Sequence, residues 1–533
     1  VRLRTPSPAL LLVLLAVLAG ATLRLWNLPG QVMGGDELHA VRAALQRPPG
    51  GILFTYQVSD NCIPLTLFDR LVLDAGWPLT EMVVRSPVLV AGLALLVLGP
   101  WWAWRRLGAG PAVVLAWLLA LSPALVFYSR IARSYMPVAL LGFAAVAAID
   151  AWQRRGGWNL AAAYVACATA AVWFHLGAGP LVVAPLLAAL PWTLREGRRR
   201  AWALVGIAAA TALALLALLL PAHETLPLVA GKRGGGALSA AAAGETAAWL
   251  AGVRWSWWLA VPFWAVVVAG GVRLARRDLR LAALLAVTTA GQLAGILALA
   301  PEGLQNPIIL ARYLVPALPL ALALAADALG RAWPGSWRRA QPVAVAGLLA
   351  ALFAAGPFTD PTLRRSSFAH AVTLLRFTDE RPALPRQGAL GVYAWLADAG
   401  PGIVVELPWH PVWRFDRAVG LYQAVHRRPV IVTVFGGPLA DRRLAFRNMV
   451  PADAESLLRS RGRWLVVHRS LPAEEERFGP LPLDGRVRYQ LRIAGPDAAR
   501  RLRAAWGPPD HRDERTWCWD LDRVRRQRAP PRR

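Results

Sequence analysis

Cysteine and lysine are almost absent from this sequence, and acids are scarce beside arginine. Cys62, Cys167 and Cys518 are the 3 cysteines, too few and too far apart to build a disulfide framework or a zinc site. Nothing in their placement argues for a Cys62–Cys518 pair. Lys232 is the single lysine, so the net charge of +27 and the pI near 11.5 are an arginine habit. No continuous basic face interleaved with aromatics is visible, which argues against nucleic acid as a partner. Internal repeats are lacking too, and a transporter is expected to show duplicated halves with broken midplane helices. A sensor is expected to carry a cytoplasmic output domain, and no such block stands out.

What the sequence has in excess is apolar residues: 56% of 533, with 25 tryptophans, in long blocks rather than alternating patterns. Such a chain is read as an α-helical polytopic membrane protein. The blocks run over 9–26, 83–104, 111–128, 134–151, 158–174, 181–194, 201–221, 253–272, 281–300, 313–330 and 342–358, giving 11 expected spans. The first block follows Arg2 and Arg4 and could be taken for a signal peptide, but its length favours a retained span.

Orientation is read from the arginines. The loops 1–8, 105–110, 152–157, 195–200, 273–280 and 331–341 hold 17 Lys/Arg in 45 residues, against 8 in 110 for the loops 27–82, 129–133, 175–180, 222–252 and 301–312. The positive-inside rule makes the first set cytoplasmic. The N-terminus is then cytoplasmic, and residues 359–533 lie outside. Two domains are expected: a transmembrane domain over 1–358, with outer loops 27–82 and 222–252, and an outer α/β domain over 359–533.

That outer domain shows short apolar runs at Gly402–Pro408, Pro429–Val434 and Trp464–His468, which read as strands, with helices at about 366–378 and 497–506. Trp517-Cys518-Trp519-Asp520 reads as a terminal strand with aromatic packing. Within the first domain, loop 27–82 is expected to hold one or two interfacial helices. In loop 222–252 the Gly234–Gly236 run precedes an Ala-rich helix, the makings of a lid.

The chemistry-bearing residues gather on the outer side. Asp36-Glu37 follows Gly34-Gly35 soon after the first span. Asp36 reads either as the cap of a helix ending near Gln46 or as a reactive carboxylate at the water–hydrocarbon boundary. Arg130 and Arg133 sit in the short turn Ser129–Ser134, Arg85 opens the second span, and Arg312-Tyr313 stands where the chain re-enters the membrane. Guanidinium groups suit a phosphate through their forked donors. A carboxylate and several guanidiniums at one mouth make the parts of a transfer in which a phosphate leaves. His175, in the next outer turn, reads first as an interfacial residue and second as a ligand.

These residues, in this order, resemble the GT-C membrane glycosyltransferases, in particular the polyprenyl-phosphate-sugar-dependent branch with the protein O-mannosyltransferases and the aminoarabinose transferases. The resemblance covers about the first 330 residues. It rests on Asp36-Glu37, on Asp60 to Pro64 with Arg85-Ser86-Pro87, on Ser129–Tyr135, and on Arg312-Tyr313. It implies an inverting glycosyltransferase in the bacterial inner membrane, its C-terminal domain periplasmic. That enzyme would move a sugar from a polyprenyl-phosphate donor to a lipid, glycan or protein acceptor at the outer face. Asp36 and Glu37 would be the catalytic pair, and Arg130, Arg133, Arg312 and Tyr313 would hold the lipid phosphate. Asp60, Asn61 and His175 are further candidates for substrate contact, Asn61 standing where many relatives carry a His. A monophosphate donor requires no metal in principle, though some relatives use a divalent cation. Partners are then membrane lipids, the polyprenyl-phosphate sugar and an acceptor. A polytopic transporter or lipid flippase is the alternative reading.

Overall fold

The computed structural model describes residues 7–26, 28, 35–56, 62–77, 79, 81–230, 234, 236–253, 257–301, 303–331, 337–355, 391–402, 404–407, 430–431, 457–458, 462–469, 499–514 and 516–528. The chain divides into two compact units. One comprises Val1–Leu28, Arg47–Leu71 and Met82–Arg376; the other comprises Pro29–Gln46, Val72–Glu81 and Phe377–Arg533.

The first unit is a helical bundle. Its spans begin with α1 (Pro8–Leu25), where Ser7 Oγ accepts from the Leu10 N–H at 3.3 Å and Pro8 occupies the first helical position. Among its described residues loop 27–82 contains three helices rather than one or two: α2 (Gly35–Gln46), which belongs to the second unit, α3 (Pro49–Leu53) and α4 (Ile63–Asp74). Then come α5 (Glu81–Arg106), α6 (Ala109–Leu121), α7 (Pro123–Tyr128), α8 (Tyr135–Arg155), α9 (Trp158–Phe174), α10 (Gly179–Arg195) and α11 (Arg198–Leu219). After α12 (Leu226–Ala230) and α13 (Ala240–Ala251) follow α14 (Trp257–Ala275), α15 (Leu279–Leu299), α16 (Pro307–Leu314), α17 (Leu318–Gly330) and α18 (Trp337–Ala355).

Among the described residues each of the 11 apolar blocks is covered mainly by helix, and the chain is a multi-pass membrane protein. Among the described residues 7 helices are long and apolar enough to cross a bilayer, and the others are shorter apolar helices. The block 111–128 is divided because Ser122 ends α6 and caps α7, its Oγ accepting from the Leu125 N–H, with Pro123 next. The block expected from 313 starts earlier, at Pro307, because Asn306 caps α16 through its Oδ1 to the Ile308 N–H at 3.0 Å. A 3-10 turn at Val315–Ala317 then joins α16 to α17.

Small residues set the helix crossings. A Cβ on Gly270 of α14 would lie 2.6 Å from the Leu324 carbonyl carbon of α17, so the two backbones meet directly. α8 packs on α9, α10 on α15, and α6 on both α1 and α17. With hydrocarbon as the outer solvent, Leu14, Leu18, Val90, Leu187 and Leu213 remain exposed on the outer faces.

In the second unit α2 is followed in sequence by a sheet with helices. The described elements are α19 (Gly391–Asp398), β1 (Val404–Leu407), β2 (Val430–Ile431), β3 (Trp464–His468), β4 (His511–Arg512), β5 (Thr516–Asp520), α20 (Leu521–Arg528) and a helix over 499–506. Strand order is β2-β1-β3-β5-β4, with β1 parallel to β2 and β3, and β5 antiparallel to β3 and β4. Alternation along β3 serves two cores: Leu465 and Val467 pack with Leu502, Trp506 and Trp519, while Trp464 and Val466 pack with Val392, Leu396 and Cys518. The Trp517–Asp520 segment is therefore strand β5. Cys62 and Cys518 are buried, and Cys167 is half-buried. The helix expected at 366–378 lies outside the described residues.

Candidate functional site

Arg24 lies in the last turn of α1. Arg24 is 1% exposed although it belongs to an apolar span, and such a residue must find acceptors. Its Nε donates to Ser129 Oγ at 3.1 Å, Nη1 to the Gly20 carbonyl at 2.9 Å, and Nη2 to the Leu119 carbonyl at 3.0 Å. Ser129 in turn donates to the Leu125 carbonyl at 2.6 Å. α5 approaches this turn through Gly92, where a Cβ would lie 2.8 Å from Ser129 Cβ.

Arg130 closes the same helix end. It is fully buried, and its Nη1 donates to the carbonyls of Leu23, Arg24 and Trp26 at 3.0, 3.1 and 2.8 Å. These are the carbonyls that a helix C-terminus leaves without an intrahelical donor. Burial, with the neighbouring Arg85 charge, pushes the Arg130 guanidinium down to about 10. It is still a cation at neutral pH. Arg85 is itself buried and donates to the Leu28 carbonyl at 3.4 Å. Arg133, in the same turn, is half-buried.

A second group joins three of the sequence candidates. Tyr313 and His175 meet with ring centroids 5.5 Å apart, and both meet Tyr135, at 6.4 and 5.4 Å. Tyr135 continues to Tyr128 at 5.0 Å, Tyr128 to Phe127, and Phe127 to Trp249. The Arg312 guanidinium carbon stands 5.4 Å from the centre of the Tyr313 ring. Because α16 starts at Pro307, Arg312 and Tyr313 lie on a helix rather than in a loop, which fixes their directions.

His175 ends α9 in an extended conformation, and its Nδ1 accepts from the Gly177 N–H at 3.0 Å. The neutral ring therefore carries its proton on Nε2, a donor suited to an anionic or carbonyl oxygen. Gly177 permits that turn, since a Cβ there would lie 2.9 Å from His175 Nδ1. Tyr135, Tyr128 and Arg24 carried no assigned role in the sequence. A polar residue inside an apolar block was the signal for Arg24.

Asp36 and Glu37 lie in the first turn of α2, which ends at Gln46. Glu37 is 1% exposed and His39 is buried. Asp60 and Asn61 lie outside the described residues. Among the described residues no group of three or more His, Cys, Asp and Glu side chains converges as a metal shell would.

No family model matches the sequence, and a search of curated proteins returns no match. Solved structures do match in fold. The apo crystal structure of the aminoarabinose transferase ArnT from Cupriavidus metallidurans aligns with a TM-score of 0.54 at 15% identity, covering 99% of this chain and 100% of that one. The ArnT structure bound to undecaprenyl phosphate gives 0.54 at 15% identity, covering 96% and 97%. The oligosaccharyltransferase of Archaeoglobus fulgidus in complex with zinc and sulfate gives 0.43 at 15% identity over 86% and 68%. The chain has the GT-C fold, helical bundle and appended C-terminal region together.

Proposed function

We propose that this chain is a glycosyltransferase that moves a sugar from a polyprenyl-phosphate donor to a lipid, glycan or protein acceptor at the outer face of the bacterial inner membrane. The observation that carries the reading is its likeness, over nearly the whole length of both chains, to a transferase whose crystal structure holds undecaprenyl phosphate. The gathering of His175, Arg312 and Tyr313 into one group supports it.

The reaction is written with side chains of this chain alone. An acceptor hydroxyl or amine attacks the anomeric carbon of the sugar, and its proton passes to the Asp36 carboxylate. The bond from that carbon to the phosphate oxygen breaks, the electron pair leaving with the polyprenyl phosphate, so configuration inverts. Glu37 orients Asp36 or the acceptor. Arg312 and Arg133 offer forked donors to the leaving phosphate, Arg130 adds a fixed positive charge, and Tyr313 and the His175 Nε2–H complete the cradle. Asp60 and Asn61 are proposed to touch the sugar or acceptor. In this reading residues 1–358 form the catalytic membrane domain, residues 359–533 a periplasmic one, and the N-terminus is cytoplasmic.

Asp36→Asn is the decisive variant. Transfer of radiolabelled sugar from a polyprenyl-phosphate donor in membranes should fall by roughly a thousandfold, the range of a lost general base. Wild-type transfer would remove Asp36 from the mechanism. Reporter fusions after residue 400 should report the periplasm, and a cytoplasmic signal would reverse the topology.

A further inference from the structure

Gln292 stands in the apolar helix α15 and is 1% exposed. A buried amide in such a place is costly unless its donors are used. Its Nε2 donates to the Gly177 carbonyl at 3.1 Å and to the Tyr313 carbonyl at 2.9 Å. Both amide hydrogens are thereby engaged, and the opposite amide orientation would set Oε1 against two carbonyl oxygens.

The two carbonyls are unusual in what they carry. Tyr313 is itself a candidate phosphate contact. Gly177 is the residue whose N–H holds His175 Nδ1. One side chain from a third helix therefore ties together the backbones behind both rings. Gln292 thus bonds backbone on both sides of the 5.5 Å contact between the two rings.

We infer that Gln292 is a positioning residue for the lipid-phosphate site: it sets the spacing and direction of the His175 and Tyr313 side chains toward the phosphate of a polyprenyl phosphate. The inference rests on the function proposed above. Its rival is that Gln292 merely cross-links α15 to α16 and matters for stability alone.

A double-mutant cycle on binding separates the two. Affinity for undecaprenyl phosphate in detergent is measured for the full-length wild type, Gln292→Met, His175→Ala and the double variant, with a thermal melt confirming that each is folded. If Gln292 positions both rings, Gln292→Met weakens binding about tenfold in the wild-type background and about threefold once His175 is Ala, since only its action on Tyr313 is then left, the non-additivity of coupled sites. Equal losses in both backgrounds, or no loss in the single variant, overturn the inference. Should Gln292→Met fail to fold, Gln292→Asn, which keeps the amide but cannot span both carbonyls, is read by the same criterion. A wild type that does not bind undecaprenyl phosphate overturns the proposed function as well, whereas a binding wild type with additive losses overturns the positioning role alone.

Discussion

The two ends of α8 mark two kinds of chemistry within one membrane bundle. At the Asp150 end, charges close on one another. Arg106 donates to Asp150 through Nε at 2.8 Å and Nη2 at 2.9 Å, and Nη2 reaches Asp278 at 2.9 Å. Arg154 also pairs with Asp150, Arg277 and Arg331 share Asp327, and Arg200 and Arg280 share Glu196. At the Tyr135 end, donors of Arg24 and Arg130 go to helix carbonyls and one hydroxyl, and aromatic rings gather beside them. The first end fastens helices. The second holds cations and a histidine at fixed points around polar backbone, in keeping with the phosphate site proposed above.

If the ends are separate in role, damage at the fastening end should cost stability without touching ligand affinity. Asp327 is fully buried, while its two arginine partners keep about a third of their surface in contact with solvent. Asp327→Asn should lower stability by about 3 kcal/mol, the lower end for removing one partner of a buried pair. Thermal unfolding in detergent reads it. Undecaprenyl phosphate affinity of the folded fraction should stay at the wild-type level, and a matching loss there would break the distinction.

A smaller effect tests the other end. Gly92→Ala sets a methyl 2.8 Å from Ser129 Cβ, where the serine is already bonded on both sides. Overpacking of this kind costs about 2 kcal/mol, and it should displace the Arg24–Ser129 bond. Gly206→Ala on α11, where a Cβ meets open space, is the control and should leave the melt unchanged or raise it slightly, since Ala is the better helix former.

How much of this was legible depends on where a polar residue stands relative to the apolar blocks. Arg312, Tyr313 and His175 lie at block ends, so residue type and position alone mark them. Arg24 and Gln292 lie inside blocks and were absorbed into the span count, although a guanidinium or amide buried in a span has to be held by something. The strands near 404, 430 and 464 were readable as apolar runs because both faces of the sheet are covered. The helix starts were less so: the cap at Asn306 moved α16 six residues upstream of the expected block, and Ser122-Pro123 cut another in two. Which carbonyls Arg130 reaches depends on α1, more than a hundred residues away in sequence, and no local pattern encodes it.

The finest test of the aromatic end is Tyr56. Its ring is buried among Ile52, Ile63 and Ala222, in a cluster that Trp173 and Leu176 also join beside His175. The hydroxyl is buried and makes no hydrogen bond among the described residues. Burial, helped by the Cys62 thiol group when ionised, pushes this phenol from 10.0 up to about 12. As pH rises from 10 toward 12, the unfolded chain gives up this proton while the folded chain keeps it. The unfolded state then binds fewer protons, so this contribution is whole below the unfolded value and is lost as pH climbs through the folded one. Tyr56→Phe removes both features. It should raise stability at neutral pH by about 1 kcal/mol, since no partner is left unsatisfied in exchange, and it should flatten the alkaline limb of the melting profile. A loss of stability at neutral pH would mean that the hydroxyl is held by a partner after all, and that this end of the bundle is fastened by polar contacts much as the other is.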